Sequence, residues 1–267
     1  MTDKTPFIRE DLQPFLEGKD PFDYFYAQDG EVYRALEFRR TYAMTLEGKT
    51  WFVKYHKGSS VGEILKNLGQ FRLPVLDAGN EMQALTRLAE LGIAVPSMAA
   101  FGIRGLSPLS RESFIVTDDV GTQENLEDLT RHWIDTPPAF SEKLTLLRKV
   151  ADIARTMHQA GICHRDFYLC HFMVIRKGDL PSDISLTLLD LHRALVKQQL
   201  GQRWIIKDLA GLYFSAMDIG LTQKDLLRFV RLYSGSPLRV TLKENRDFWD
   251  KVSERAIRMK ARHSAGR

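Results

Sequence analysis

The chain has 267 residues, of which 44% are hydrophobic and 27% charged, and its formal net charge is +4. A chain of this length and ordinary composition can bury its own apolar core, so we expect neither disorder nor a disulfide framework, for which two cysteines are too few. The first residues carry acids and a proline before any apolar run, and no stretch reaches the ~18 apolar residues of a spanning helix. We therefore expect a protein of the cytoplasm that does not cross a membrane.

Strand-like runs and one clear amphipathic helix fill the first part of the chain. In that helix Met82, Leu85, Leu88 and Leu91 fall on one face. A short hairpin turn is expected at residues 47–49. The predicted strands are Glu31–Leu36, Arg40–Leu46, Thr50–Tyr55, Met98–Ile103 and Ser113–Thr117, and the predicted helices are Val61–Leu68 and Asn80–Leu91.

After residues 118–121 the pattern changes to mostly helical. The predicted helices are Glu142–Ala160, Lys207–Met217, Gln223–Tyr233 and the tail from Asn245, with two strands at Phe172–Arg176 and Ser185–Leu189. A first segment of strands with one helix, followed by a second segment that is mostly helical, indicates two lobes. We place an N-lobe at residues 1–119 and a C-lobe at residues 120–267.

The basic excess lies at the C-terminal end. Residues 243–267 contain eight Lys or Arg and four Asp or Glu, a difference equal to the net charge of the whole chain. A basic helix suits an anionic membrane surface or nucleic acid, and a solvated charged face is an equal alternative. Because the overall excess is small and no basic platform interleaved with aromatic residues is present, we do not expect nucleic acid as a partner.

The strongest chemical motif is HRDFYLCH, from His164 to His171. It follows a predicted helix and a glycine turn, precedes an apolar strand, and resembles the catalytic loop H-R-D-x-x-x-x-N of protein-kinase-like enzymes. Phosphoryl transfer to a hydroxyl needs a carboxylate that orients the nucleophile and accepts its proton, and Asp166 is the candidate. His171 stands where the metal-binding Asn is expected; its imidazole can bind a metal but matches Mg²⁺ less well.

A second carboxylate, Asp190, ends the apolar run SLTLLD, 24 residues after Asp166. It reads Asp-Leu-His where kinases have Asp-Phe-Gly. A carboxylate at the end of a buried strand is costly unless a cation compensates it, and Mg²⁺ bridging nucleotide phosphates would do so. A helix cap or a turn Asp is the alternative.

Lys54 lies inside the predicted strand TWFVKY, and an inward-facing Lys needs an anion. A kinase supplies two of them, the nucleotide phosphates and a helix glutamate. Glu81, 27 residues further on, is the expected partner, and Glu63 on the earlier helix competes with it. A solvent-facing Lys on an edge strand is the alternative.

No G-x-G-x-x-G loop precedes Lys54. Gly30 and the Arg34 guanidinium are the candidates to cover the phosphates, and a simple turn glycine fits Gly30 equally well. Residues 116–121, which include Asp119, form the expected hinge that would hold adenine through backbone groups.

A zinc site is a competing interpretation of the same loop. Cys163-His164 and Cys170-His171 supply ligand types that suit Zn²⁺. Their spacing matches none of the usual structural zinc patterns, so two reduced, partly buried thiols that flank a tight loop are the favoured alternative.

Four segments together resemble the lipopolysaccharide core heptose(I) kinase family of Gram-negative bacteria: CHRDFYLCHFMV, LTLLDLHRA, RWIIKDLAGLYFSAMDIGLT and KDPFDYFYAQDGEVYRALEFRRT. The resemblance runs from about Lys19 to Pro237 and is most specific from Gly161 to Thr222. It implies an α+β, bilobal protein-kinase-like fold, with an antiparallel-sheet N-lobe that has one main helix and a mostly helical C-lobe. It also implies that ATP and Mg²⁺ serve to phosphorylate the first heptose of the inner core.

By this resemblance Asp166 matches the catalytic aspartate, Asp190 the metal-binding aspartate, Lys54 the phosphate-binding lysine and Glu81 its partner. His171 in place of Asn matches a family trait. The acceptor would be an inner-core oligosaccharide on lipid A, which is rich in anionic groups. The enzyme would then work peripherally at the cytoplasmic surface of the inner membrane.

Two other functions stay open. A kinase with another acceptor, such as Kdo or an aminoglycoside, would use the same catalytic residues, and only residues 203–222 favour heptose. A membrane-associated pseudokinase scaffold would account for the missing glycine-rich loop and for His171. Retention of Lys54, Asp166 and Asp190 argues against the scaffold.

Overall fold

The computed structural model describes residues 5–36, 39–58, 77–107, 110–121 and 124–266, without the side chains of Arg34 and Leu36. The chain divides into two compact units. Unit 1 comprises Met1–Thr86 and Pro96–Gly121, and unit 2 comprises Arg87–Val95 and Thr122–Arg267. No helix among the described residues has both the length and the apolar character needed to cross a membrane.

Unit 1 is built on an antiparallel sheet. Its strands are β1 (Phe7–Ile8), β2 (Glu31–Leu36), β3 (Arg39–Leu46), β4 (Lys49–Lys57), β5 (Met98–Arg104) and β6 (Glu112–Asp118), and its helices are α1 (Gln13–Leu16), α2 (Pro21–Ala27) and α3 (Gly79–Glu90), whose last turn continues into unit 2. The strand order across the described sheet is β1-β5-β6-β4-β3-β2. Glu47 and Gly48 join β3 to β4 with φ of 49° and 78°, the positive values that a two-residue hairpin turn requires.

The core of unit 1 lies on one face of this sheet. Trp51, Val53 and Tyr55 alternate along β4 and are buried, and α2 contributes Phe22 to the same apolar cluster. Because successive side chains of a strand point to opposite faces, Lys54 lies on the other face of β4. The packing that stabilises the sheet thus leaves the opposite face for polar chemistry.

Unit 2 is mostly helical. Its helices are α4 (Leu126–Thr130), α5 (Phe140–Gln159), α6 (Gln202–Ser215), α7 (Gln223–Ser234), α8 (Leu238–Glu244) and α9 (Arg246–Ala265), and its strands are β7 (Ile162–Cys163), β8 (Phe172–Arg176), β9 (Ile184–Leu188) and β10 (Leu195–Val196). β7 pairs with β10 and β8 pairs with β9, both antiparallel.

This pairing places two loops next to each other. Residues 164–171 connect β7 to β8, and residues 189–194 connect β9 to β10. At one end of the loops Cys163 lies opposite Leu195, and at the other end Phe172 lies opposite Leu188. The loop that carries Asp166 and the loop that carries Asp190 are therefore held side by side at both ends.

Most predicted elements lie within a few residues of the observed ones, and several bounds differ. The predicted helix Lys207–Met217 begins at Gln202 instead, because Gly201 adopts an extended conformation and the helix starts directly after it. The short helices α1, α2, α4 and α8 were not predicted, since none is long enough to show a period. The predicted helix Val61–Leu68 lies outside the described residues.

Candidate active site

Asp166 lies in the loop after β7, and an arginine that the sequence did not single out holds its carboxylate. Arg193 donates from Nη1 to both Asp166 oxygens, at 2.7 and 2.9 Å. The Asp166 side chain is 17% exposed and that of Arg193 29% exposed, so the pair is shielded but reachable. Two hydrogen bonds from one guanidinium nitrogen fix the orientation of the carboxylate before a ligand approaches it.

A second, fully buried carboxylate holds the backbone of the same loop. Asp208, in α6, accepts the backbone N–H of His164 through Oδ2 and that of Arg165 through Oδ1, both at 2.7 Å. His158 in α5 lies 3.3 Å away through Nε2, and its Nδ1 lies 2.9 Å from the Tyr233 hydroxyl. The loop is thus bonded to a buried polar network that connects three helices.

This network compensates backbone strain at the motif. Arg165 has φ of 73°, in the left-handed region where a non-glycine residue is uncommon. Such a residue costs on the order of 1–3 kcal/mol and persists only where its surroundings impose it. The charge-assisted bond from the Arg165 N–H to Asp208 supplies that constraint. Asp190 also has positive φ, at 58°.

His171 connects the two carboxylate loops. Its Nδ1 lies 2.6 Å from the Asp166 carbonyl oxygen, and since a carbonyl only accepts, Nδ1 carries the proton. In the neutral ring Nε2 then holds a lone pair, and it lies 3.7 Å from Asp190 Oδ2. Two metal–ligand bonds of about 2.1 Å can span such a separation.

The donor set therefore fits a divalent cation. His192 Nδ1 lies 2.5 Å from Asp190 Oδ1 and orients the carboxylate, while the first hydrogen bond of His171 fixes its tautomer. Among the described residues no group of three or more His, Cys, Asp or Glu side chains could hold a metal alone. A metal here needs further ligands, which nucleotide phosphates provide.

The cysteine and histidine pairs do not form a zinc site within the described part of the chain. Burial raises the pKa of the Cys163 thiol, and it raises the pKa of Cys170 to about 11. Both are neutral thiols at neutral pH, whereas zinc binds the thiolate. Burial also lowers the pKa of His164, whose Nε2 donates to the Leu189 carbonyl at 2.9 Å.

Unit 1 contains the residues predicted to bind the nucleotide phosphates. Lys54 Nζ and Glu81 Oε1 are 2.6 Å apart, with side-chain exposures of 17% and 6%. Glu81 Oε2 is buried and has no hydrogen-bond partner among the described residues. Of the two carboxylates expected to compete for Lys54, the structure shows Glu81 paired with it, and Glu63 lies outside the described residues.

The three remaining predicted nucleotide contacts are placed as follows. Gly30 precedes β2, and a Cβ there would lie 2.1 Å from the Ala43 carbonyl oxygen, so close strand packing alone requires a glycine. Arg34 lies in β2, and its side chain is outside the described part of the structure. Asp119 is exposed, and its Oδ1 accepts the Gly121 N–H at 2.9 Å, which shapes the turn after β6. Nucleotide binding by these three residues stays a prediction.

Sequence reasoning missed Arg193, Asp208 and His158. Arg193 lies inside LTLLDLHRA and Asp208 inside RWIIKDLAGLYF, two segments that carried the resemblance without residue roles of their own. The available signal was an aspartate in an otherwise apolar helix segment, since such a residue is rarely buried without partners. Nothing in the local pattern indicated which partners it has.

The profile described as "Lipopolysaccharide kinase (Kdo/WaaP) family" matches residues 23–233. The chain belongs to this family. It is 42% identical over 256 residues to the lipopolysaccharide core heptose(I) kinase WaaP of Escherichia coli (strain K12), which covers 96% of this chain and 97% of that protein. It is 44% identical over 238 residues to the lipopolysaccharide core heptose(I) kinase WaaP of Pseudomonas aeruginosa (strain PAO1), and the match covers 89% of this chain and 89% of that protein.

A solved structure also resembles this chain. "WaaP in complex with acyl carrier protein" is 37% identical, has a TM-score of 0.84, and covers 96% of this chain and 99% of that one. The predicted protein-kinase-like α+β fold is confirmed by this match, and the predicted family by the profile. Family membership makes the chain a phosphotransferase and implies the use of ATP.

The first prediction concerns the hydrogen bonds by which Asp208 holds the loop that carries Asp166. An Asn at position 208 keeps one acceptor oxygen and turns its NH₂ toward a backbone donor, so Asp208→Asn should lower the free energy of unfolding by about 3 kcal/mol at pH 7. Misplacement of the loop should also lower phosphoryl transfer about 100-fold. Urea unfolding and initial rates measure the two effects, with the exposed Asp152→Asn as a control that changes neither by much.

The pH dependence of this effect has a definite sign. Burial acts to raise the pKa of Asp208, but its hydrogen bond and charge interaction with His158 outweigh burial, and the pKa lies below the ordinary value. A carboxylate with a lowered folded pKa stabilises above its unfolded pKa of about 3.9 and loses that contribution as the pH falls below it. The stability difference from Asp208→Asn should therefore shrink as the pH falls below about 4. A difference that grew as the pH fell below about 4 would contradict the assignment.

Proposed function

We propose that this chain transfers the terminal phosphoryl group of ATP to a hydroxyl of the first heptose of the lipopolysaccharide inner core. The observation that carries this acceptor is 42% identity over 96% of the chain with a relative named for that activity. The chemistry is supported by Asp166, whose carboxylate Arg193 holds on a loop anchored by buried Asp208.

In this proposal Asp166 binds the acceptor hydroxyl and orients its oxygen for in-line attack on the terminal phosphorus. The new oxygen–phosphorus bond forms as the bond from phosphorus to the bridging oxygen breaks, and ADP leaves. The hydroxyl proton passes to the Asp166 carboxylate. Arg193 fixes the direction of that carboxylate before the substrate arrives, so that less ordering is needed in the transition state.

The Lys54–Glu81 pair is proposed to hold the nucleotide. The Lys54 ammonium would contact phosphate oxygens, and Glu81, almost fully buried, keeps it in place from the side of α3. Gly30, Arg34 and Asp119 are proposed to cover the phosphates and to hold adenine, as the sequence predicts.

The role of Asp166 gives the second prediction. With ATP, Mg²⁺ and an inner-core acceptor, Asp166→Ala should fold normally and lose at least about 100-fold in kcat, the usual contribution of a positioned base. The matched control is Asp179→Ala, an aspartate exposed in the loop between β8 and β9. A folded Asp166→Ala variant with normal turnover would rule out the proposed role.

We propose that Asp190 and His171 bind Mg²⁺. Asp190 offers a carboxylate oxygen and His171 the lone pair of Nε2, with the tautomer set by the Asp166 carbonyl. When bound, the cation neutralises charge on the nucleotide phosphates.

The third prediction concerns His171. His171→Ala removes one ligand and should raise the Mg²⁺ concentration needed for half-maximal activity by about 10- to 100-fold. His171→Asn returns an amide oxygen, which suits Mg²⁺, and should restore most of that loss. His132→Ala, an exposed histidine, is the control. An unchanged Mg²⁺ requirement in His171→Ala would remove His171 from the metal site.

We further propose that the enzyme works as a peripheral protein at the cytoplasmic surface of the inner membrane, where a lipid A-linked acceptor is available. The basic helix α9 supports this location, although acids on the same helix neutralise part of its charge and a solvated face stays the alternative. The paired residues are Arg246 with Asp250, Lys251 with Asp247, and Arg258 with Glu254.

Acyl carrier protein is the proposed partner, on the precedent of the solved relative. Unit 2 contains an apolar cavity of about 280 Å³ between its helices, lined by residues that include Leu146, Leu209, Leu212, Leu226 and Trp249. An apolar space of this kind accepts an aliphatic chain, which acylated carrier protein can supply.

The fourth prediction tests this partner. Calorimetric titration should show tighter binding of carrier protein that bears a long acyl chain than of the unacylated form. Leu212→Trp fills part of the cavity and should remove that preference, whereas Leu180→Trp, at a position 64% exposed, should keep it. Equal binding of both forms by the unaltered protein would exclude the cavity as the acyl site.

A further inference from the structure

Arg165 is a buried cation without a carboxylate partner. It is only 5% exposed, and its Nη1 donates to the Arg193 carbonyl oxygen at a long 3.4 Å. Within the described ranges its buried Nε has no hydrogen-bond partner, and no carboxylate lies at ion-pair distance from it. Its guanidinium lies over the Trp204 ring, 5.7 Å from the ring centroid, but an aromatic face does not neutralise the charge. Buried guanidinium groups are normally paired with an anion, and this side chain has none within the described ranges.

Lys207 brings a second cation to the same place. It precedes Asp208 on α6, and Asp208 accepts the Arg165 N–H at 2.7 Å, which fixes this part of the helix against the loop. Burial lowers the pKa of Lys207, and the nearby charges of Arg193 and Arg165 lower it further. For Lys207 too, the described side chains include no carboxylate at ion-pair distance.

Arg193 adds a third cation, and the nearby acids do not balance the three. Asp166 pairs with Arg193. Asp208 directs its oxygens to two backbone N–H groups and to His158. We call Arg165, Arg193 and Lys207 the cationic cluster. An incoming anion would relieve the repulsion within it.

We propose that the cationic cluster binds an acidic group of the sugar acceptor, a carboxylate or a phosphate, beside the hydroxyl that Asp166 orients. This proposal rests on the proposed function and names a recognition element of that acceptor. Arg193 is bonded to the Asp166 carboxylate, so an anion bound by the cluster lies close to the reacting hydroxyl. Guanidinium groups suit carboxylate and phosphate geometry, and the inner-core acceptor of the proposed function is rich in anionic groups.

The cluster also predicts discrimination against neutral sugars. A neutral acceptor would leave Arg165 and Lys207 without a counter-anion, and a site whose charged groups stay unpaired rejects the wrong ligand strongly. The same cations could instead contact the phosphoryl group that is transferred. The two cases differ in which kinetic constant changes.

The test compares three acceptor preparations and three lysine variants. One acceptor is the native inner-core oligosaccharide, the second has its carboxylates reduced to alcohols, and the third has its phosphates removed. For the unaltered protein, one of these preparations should raise the acceptor KM about tenfold or more, the usual effect of a lost charged hydrogen bond. The preparation that does so identifies the anion.

Lys207→Met should raise the KM for the native acceptor by a similar factor, with a much smaller change in kcat and in the KM for ATP. It should also discriminate less between native and neutralised acceptors. Lys207→Arg should restore the acceptor KM. Lys224→Met, a control at an exposed lysine on α7, should keep the discrimination of the unaltered protein.

Two results would overturn the proposal. One is an equal KM of the unaltered protein for the native and both neutralised acceptors, a comparison that needs no variant and therefore holds even if Lys207→Met does not fold. The other is a loss of kcat or of ATP affinity in Lys207→Met with the acceptor KM unchanged, which would assign the cluster to the transferred phosphate. Failure of the unaltered protein to phosphorylate any heptose acceptor would instead refute the proposed function.

Discussion

The candidate active site depends on one buried carboxylate. Asp208 is fully buried and accepts the backbone N–H groups of His164 and Arg165, which holds Arg165 in a left-handed conformation. The next residue is Asp166, so the direction of the proposed base is set by a group that never contacts substrate. Strand pairing on either side of the two loops supplies the second constraint and brings the Asp190 loop alongside.

Local pattern was enough to single out the candidate catalytic and nucleotide-binding residues, whose roles stay predictions. The sequence placed Lys54 inside a predicted strand, and the motif order His-Arg-Asp followed by Asp-Leu-His pointed to Asp166 and Asp190. The supporting contacts could not be predicted in this way. Asp208 acts on residues 43 and 44 positions earlier, and Arg193 reaches back 27 positions, so both contacts exist only after the helix and the two strand pairs have packed.

In the two proposals the charges around Asp166 connect catalysis with acceptor recognition. Arg193 belongs to both proposals, because it holds the Asp166 carboxylate and is a member of the cationic cluster. A neutral acceptor would supply no anion to Arg165, whose buried guanidinium has no carboxylate partner among the described residues. An acidic acceptor would supply one, and the excess of positive charge would then favour it over neutral sugars.

The most direct test of the account is product analysis by mass spectrometry with two acceptors. The protein is incubated with ATP and Mg²⁺ and with lipid A-linked inner core that either carries the first heptose or ends just before it. The account predicts the gain of one phosphate on the heptose-bearing acceptor and none on the shorter one. Addition of a phosphate to the shorter acceptor would contradict the account. So would the absence of a phosphate on both of these acceptors together with phosphorylation of a Kdo or aminoglycoside acceptor.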